Sequence, residues 1–205
     1  MKHIHESRMF RHRGWVGVVC LVPIAICVIL TKPLVEEETV LDFILESIGW
    51  VLFIVYAVFR IWATLFVGGR KDAVLQTEGP YSITRNPLYF GSFCFALSIA
   101  FFLDSVMLIA LTVLGTVVYI GWIVRAEETL LAERFGADFL RYKQETPMFI
   151  PRLSSYRSPE SLEVNLQAIK TELKRLLFAC VVPLTADSLA HLRSLPHWPH
   201  WFWLP

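Results

Sequence analysis

Gly79-Pro80-Tyr81-Ser82-Ile83-Thr84-Arg85-Asn86-Pro87-Leu88-Tyr89-Phe90-Gly91 is a polar, turn-rich element that runs straight into a long apolar stretch. Proline biases the residue before it away from helical backbone, and its own fixed φ suits the first position of a helix. Asn86-Pro87 therefore predicts a helix starting at Pro87, with Arg85 and Asn86 at its electropositive end. Such an element reads either as a solvated loop ahead of a helix or as a binding site at the mouth of a membrane span.

The apolar stretch is one of several. The chain is 55% hydrophobic and only 18% charged, with a mean hydropathy of +0.53, which excludes an ordinary soluble domain. Residues 14–31 carry no charge, residues 47–69 carry only Arg60, and residues 86–124 carry only Asp104. A span needs roughly 20 apolar residues, so the last run holds two helices with Asp104 in the turn between them. The expected fold is an all-α polytopic membrane bundle of four spans, near 14–31, 47–67, 87–103 and 105–124.

Orientation follows from lysine and arginine. Lys2, Arg8, Arg11 and Arg13 precede the first span; Arg70, Lys71 and Arg85 lie between the second and third; Arg125, Arg134, Arg141 and Lys143 follow the fourth. The first loop instead holds Glu36, Glu37, Glu38 and Asp42 against Lys32. Both termini are expected in the cytoplasm, together with the 79–91 element and everything beyond residue 125. The net charge of +1 shows no basic stripe, so nucleic-acid binding is not expected. Cys20, Cys27, Cys94 and Cys180 lack paired or metal-ligand spacing and read as buried thiols.

A second polar element follows the fourth span. Residues 125–143 read as a cytoplasmic amphipathic helix interrupted at Gly136, with Leu131, Phe135, Phe139 and Tyr142 on one apolar face. Glu127 and Glu128 are adjacent, hence about 100° apart on a helix, and cannot both face one ligand squarely. They read either as a solvated face balancing Arg125 and Arg134 or as one solvent-facing and one cavity-facing acid. Pro147-Met148-Phe149-Ile150-Pro151-Arg152 is bounded by prolines and cannot be regular helix throughout. Arg60 lies roughly 9 Å below the cytoplasmic end of its span at about 1.5 Å per residue. It either snorkels to the interface or faces the bundle and pairs with an anionic ligand.

Taken together, these residues resemble the isoprenylcysteine carboxyl methyltransferase family, in its bacterial membrane branch. The resemblance covers residues 59–153: Arg60-Ile61-Trp62-Ala63, Gly79-Pro80-Tyr81, Arg85-Asn86-Pro87-Leu88-Tyr89-Phe90-Gly91, Arg125-Ala126-Glu127-Glu128-Thr129-Leu130-Leu131, Phe135-Gly136, Tyr142 and Pro151. It implies a methyltransferase that binds S-adenosylmethionine at the cytoplasmic end of the bundle. The acceptor is implied to be lipophilic and to enter from the bilayer, with a carboxylate, thiol or lipid headgroup as the methylated group. By that resemblance Tyr81, Arg85, Asn86, Pro87, Tyr89, Glu127 and Glu128 bind the cofactor, Arg60, Arg85 and Tyr89 act on the reaction, and no metal is involved. The enzymes acting on prenylated cysteine carry histidine where this chain has Asn86, so the acceptor need not be prenylated. Relatives often carry arginine where this chain has Met148, which puts an anion contact there in doubt.

Residues 1–153 then form the membrane methyltransferase domain, placed in a bacterial cytoplasmic membrane. Residues 154–205 lie outside the resemblance. The uncharged stretch between Arg175 and Asp187 is short for a span, so this tail is expected to be an interfacial helix or a shallow re-entrant segment in preference to a fifth span. The competing reading is a non-catalytic membrane scaffold that retains the fold.

Overall fold

The second apolar run becomes α1, Val40–Val67, opened by Thr39, whose hydroxyl accepts from the Asp42 amide. This is a computed structural model of the chain, and it describes residues 39–68 and 74–195 together with the single residues 35, 197 and 198. The span expected at 14–31 lies outside the described residues. After the short helix α2, Pro80–Ile83, come α3, Pro87–Phe102, and α4, Val106–Tyr119. A π-helical turn, Ile120–Val124, joins α4 without a break to α5, Arg125–Phe135; α6 is Ala137–Glu145. The tail forms α7, Leu166–Ala179, and α8, Val181–Ser194, and no strand occurs among the described residues.

Three helical stretches are long and apolar enough to cross a membrane: Val40–Val67, Val106–Phe135 and Leu166–Ser194. The 16-residue α3 is shorter, about 24 Å at the usual rise, so polar elements reach down to meet its start. Asp104 takes the turn between α3 and α4 with a φ of 45°, a conformation aspartate tolerates, and Ser105 caps the next helix through the Leu108 amide.

In lipid there is little hydrophobic drive between helices, so close approach and ring packing must hold them. Helices α1 and α3 form the central pair. Gly49 faces the Phe102 ring, where a Cβ would stand 3.1 Å away, and a Cβ at Gly91 would stand 3.3 Å from the Phe59 Cβ and 3.5 Å from the Tyr56 carbonyl oxygen. Larger side chains at these two positions would push the helices apart. Around them Tyr56 stacks on Phe95 at 4.6 Å, Phe59 tilts onto Phe90 at 4.8 Å and Trp50 meets Phe102 edge-on at 5.2 Å.

The tail, read from its composition as interfacial, packs against the bundle. Leu176 of α7 packs with Phe53, Tyr56 and Cys94, while Ala186 of α8 packs with Phe102 and Leu103. The tail thus runs alongside α1 and α3, and Arg193 donates to the Leu103 carbonyl at 2.7 Å, at the end of the bundle opposite Arg85. The physical reason is pairing. Glu172, which counts against a span in the sequence, meets Arg60 at 2.6 Å, and the fully buried Arg193 guanidinium is taken up by the α3–α4 turn.

Candidate functional site

The turn at Gly79 is forced by its surroundings. Its φ is +59°, and a Cβ there would stand 2.2 Å from the Phe66 ring. From it, α2 is clamped to the segment after α6: the Gly79 amide donates to the Arg157 carbonyl at 2.8 Å, and the Arg157 amide to the Ser82 hydroxyl at 2.9 Å. Tyr142 of α6 donates its hydroxyl to the Tyr81 carbonyl at 2.7 Å. Burial pushes both the Tyr81 and Tyr142 phenols up, so each stays a neutral hydroxyl.

Residues 83–86 then pair with the proline-bounded strip. The Arg85 amide donates to the Pro147 carbonyl at 2.9 Å, the Thr84 hydroxyl to Phe149 at 2.9 Å, and the Arg152 amide to Ile83 at 2.9 Å. The Asn86 side-chain amide donates to the Met148 carbonyl at 2.9 Å. Asn86 is thereby an anchor for the strip, and Pro87, buried at the first position of α3, lets the helix start without a spare N–H.

This scaffold delivers Arg85 to Glu128. Nε of Arg85 lies 2.8 Å from Glu128 Oε1, with the two side chains only 8% and 4% exposed. One Nη of the same guanidinium donates to the Lys143 carbonyl at 2.8 Å and to the Thr146 carbonyl. Arg85 therefore also caps the last turn of α6, where carbonyls lack helical partners. Lys143 completes a triad: its ammonium stands 2.8 Å from Glu128 Oε2 as an ion pair. The buried Thr146 hydroxyl is without a hydrogen bond among the described residues.

Glu127 does something different. It is exposed, and the Tyr89 hydroxyl lies 2.9 and 3.0 Å from its two carboxylate oxygens. The Tyr89 ring meets Tyr119 edge-on at 5.1 Å, which fixes it against the end of α4. The roughly 100° between adjacent helix positions thus gives one acid to the protein interior and one to the surface.

Of the residues singled out from the sequence, Tyr81, Arg85, Asn86, Pro87, Tyr89, Glu127 and Glu128 meet at one end of the bundle. Arg60 stands apart from the Arg85–Glu128–Lys143 cluster, although its charge reaches Tyr81. On α3, Tyr89 and Gly91 point about 200° apart; Tyr89 faces α4, whereas Gly91 faces α1, where a Cβ would stand 3.7 Å from the Arg60 side chain. Arg60 neither snorkels nor stands open, because Glu172 holds it. Lys143 was not singled out; its place seven residues past Gly136, next to Tyr142, was the available signal. Nothing in the sequence pointed to Glu172.

A cleft of about 230 Å³ opens at the opposite end of the bundle, lined by Asp42, Glu46, Phe102, Asp104, Asp187 and His191, far from these motifs. Among the described residues no group of histidine, cysteine and acidic side chains is placed to hold a metal ion.

Comparison with known proteins adds a family match and relatives named for metal resistance. A family described as phospholipid methyltransferase matches residues 44–138. That match supports a membrane methyltransferase family, and it spans α1 through the start of α6, including both motifs of the site. The chain is also similar to the nickel-cobalt-cadmium resistance protein NccN of Alcaligenes xylosoxydans xylosoxydans, 29% identical over 98% of this chain and 90% of that protein. The cobalt-zinc-cadmium resistance protein CzcN of Cupriavidus metallidurans is 31% identical over 80% of this chain and 66% of that protein. No solved structure matches the chain.

Proposed function

We propose that the protein is an S-adenosylmethionine-dependent methyltransferase of the membrane, acting on a lipophilic acceptor at the end of the bundle that carries Arg85. The observation that carries this reading is the convergence of Tyr89–Glu127 and Arg85–Glu128–Lys143, from motifs about forty residues apart, on the start of α3.

The residues fit the cofactor, with roles that differ from the expectation for Arg85. Its Nε and one Nη are committed to Glu128 and to two backbone carbonyls, so it forms the floor of the site. Lys143, whose side chain is 45% exposed, is the cation available to the cofactor carboxylate. Glu127 accepts from an ammonium or ribose hydroxyls, with Tyr89 orienting it. When bound, S-adenosylmethionine supplies a methyl group on a sulfonium, ready for in-line displacement by the acceptor.

What the chain contributes is position and dryness. The clamp between 79–86 and 142–157 holds the start of α3 against α5, and the apolar faces of α4 and α3 bring a lipophilic acceptor to the same end. A carboxylate or thiolate acceptor needs no general base. By the positive-inside rule this end faces the cytoplasm of a bacterial cell. The names of the relatives supply a setting, resistance to divalent transition metals, in which the modified molecule would be a component of the cell envelope.

Isothermal titration of the detergent-purified protein with S-adenosylhomocysteine tests the reading. Binding by the wild type and its loss in Glu127→Ala are expected; no binding by the wild type would overturn it in favour of the scaffold reading.

A further inference from the structure

The bundle holds a second polar cluster that donor binding does not use. On the α1 side of α3, Arg60 Nε lies 2.6 Å from Glu172 Oε1, and Arg175 Nη1 lies 3.3 Å from Glu172 Oε2. Two guanidiniums share one carboxylate, so the cluster carries one uncompensated positive charge. The Glu172 carboxylate is 5% exposed, Arg60 20% and Arg175 65%, so the excess charge lies on the outer side of the cluster.

Its surroundings are those of an amphiphile site. Phe59, next to Arg60 in α1, packs on Phe90, Phe149 extends that aromatic wall toward the proline-bounded strip, and Leu177 and Phe178 of α7 are exposed. A permanent cation in a span, close to a wall of rings, suits an acidic head with an apolar tail. The carboxylate that occupies it comes from the tail, 112 residues away and beyond the segment 44–138 that matches the methyltransferase family.

We propose that Arg60 and Arg175 form the subsite for the anionic head group, carboxylate or phosphate, of the lipophilic acceptor, and that Glu172 fills it in the resting protein. This rests on the methyltransferase reading for the word acceptor, but the anion site itself does not. Exchange is feasible because Glu172 and Arg175 are three residues apart on one helix: when the incoming anion takes Arg60, Glu172 turns outward and keeps Arg175, so no buried charge is stranded. The tail then acts as the built-in competitor that admits acidic amphiphiles and gives neutral ones nothing to displace it with.

The test is binding of laurate and of dodecyl phosphate, with dodecanol as the neutral control, to protein in zwitterionic nanodiscs, read by isothermal titration. Glu172→Gln should bind at least one of the two anions about tenfold more tightly than wild type, the share of one charge-assisted hydrogen bond released from competition. The anion that gains identifies the head group. Arg60→Gln/Glu172→Gln should fall back to the dodecanol level. If Glu172→Gln destabilises the tail, Glu172→Asp, which withdraws the carboxylate by one methylene, should show a smaller gain in a folded protein. No gain for either anion in either variant, or an equal gain in the double variant, overturns the proposal. Titration of the same samples with S-adenosylhomocysteine keeps the two readings apart: its failure to bind wild type counts against the methyltransferase and leaves the anion result standing.

Discussion

Glu127 and Glu128 are neighbours of one type, and their replacement by alanine should have opposite consequences. The Glu128 side chain is 4% exposed and neutralises both Arg85 and Lys143. Removing one partner of a buried pair typically costs 3–5 kcal/mol, because the remaining charge is left without compensation. Here the loss is moderated at both cations: Arg85 keeps its bonds to the Lys143 and Thr146 carbonyls, and Lys143 is exposed enough for water to take over. The low end, about 3 kcal/mol, is therefore expected for Glu128→Ala. Glu127 is exposed and holds only the Tyr89 hydroxyl, so Glu127→Ala should cost no more than about 1 kcal/mol. At about 2–4 °C per kcal/mol for a chain of this size, the melting temperature in detergent should fall by roughly 6–12 °C for Glu128→Ala and by less than about 4 °C for Glu127→Ala. The assay is differential scanning fluorimetry, with S-adenosylhomocysteine titration on the same samples. The stable Glu127 variant should be the one that loses cofactor binding outright. Equal shifts for the two variants, or a Glu128 variant as stable as wild type, would refute the assignment of one acid to the framework and the other to the ligand.

Two glycines with positive φ should separate strain from packing. Gly136→Ala, with nothing within 4 Å of its Cβ position, should cost only the backbone term of about 1–2 kcal/mol, while Gly79→Ala adds a collision with the Phe66 ring and should cost more than twice that or prevent folding; thermal melts of the two variants decide it, and a Gly79 variant as stable as the Gly136 one would count against the clamp. A reporter active only outside the cytoplasm should be silent when inserted after Thr77 and active when fused after Ser194, since Arg193 reaches the Leu103 turn at the far end of the bundle. A silent Ser194 fusion would return the tail to the membrane surface.

Much of the site is local and could be read along the chain. Asn86-Pro87 starts a helix because proline lacks the N–H and has the right φ; Gly136 breaks the amphipathic helix because its φ is +55°; Asp104 takes the turn in an otherwise uncharged run. Adjacent acids diverge on any helix, so the split between Glu127 and Glu128 was implied by spacing, though not which acid is buried. That choice depends on the phase of the helix after the π-turn at Ile120–Val124, which no propensity specifies.

The tail marks the boundary between the two kinds of information. Composition and periodicity determined that this chain is a bundle of apolar helices with its polar motifs gathered at one end, because lipid requires every backbone bond to close within a segment and lysine and arginine bias the orientation. Whether Leu166–Ser194 lies on the bundle or in the interface was decided by partners distant in sequence. Glu172 is a charge that counts against a span when taken alone, and that count is offset because Arg60, 112 residues earlier, meets it at 2.6 Å. A charge's cost inside a membrane is a property of the pair, and the pair exists only in the folded chain.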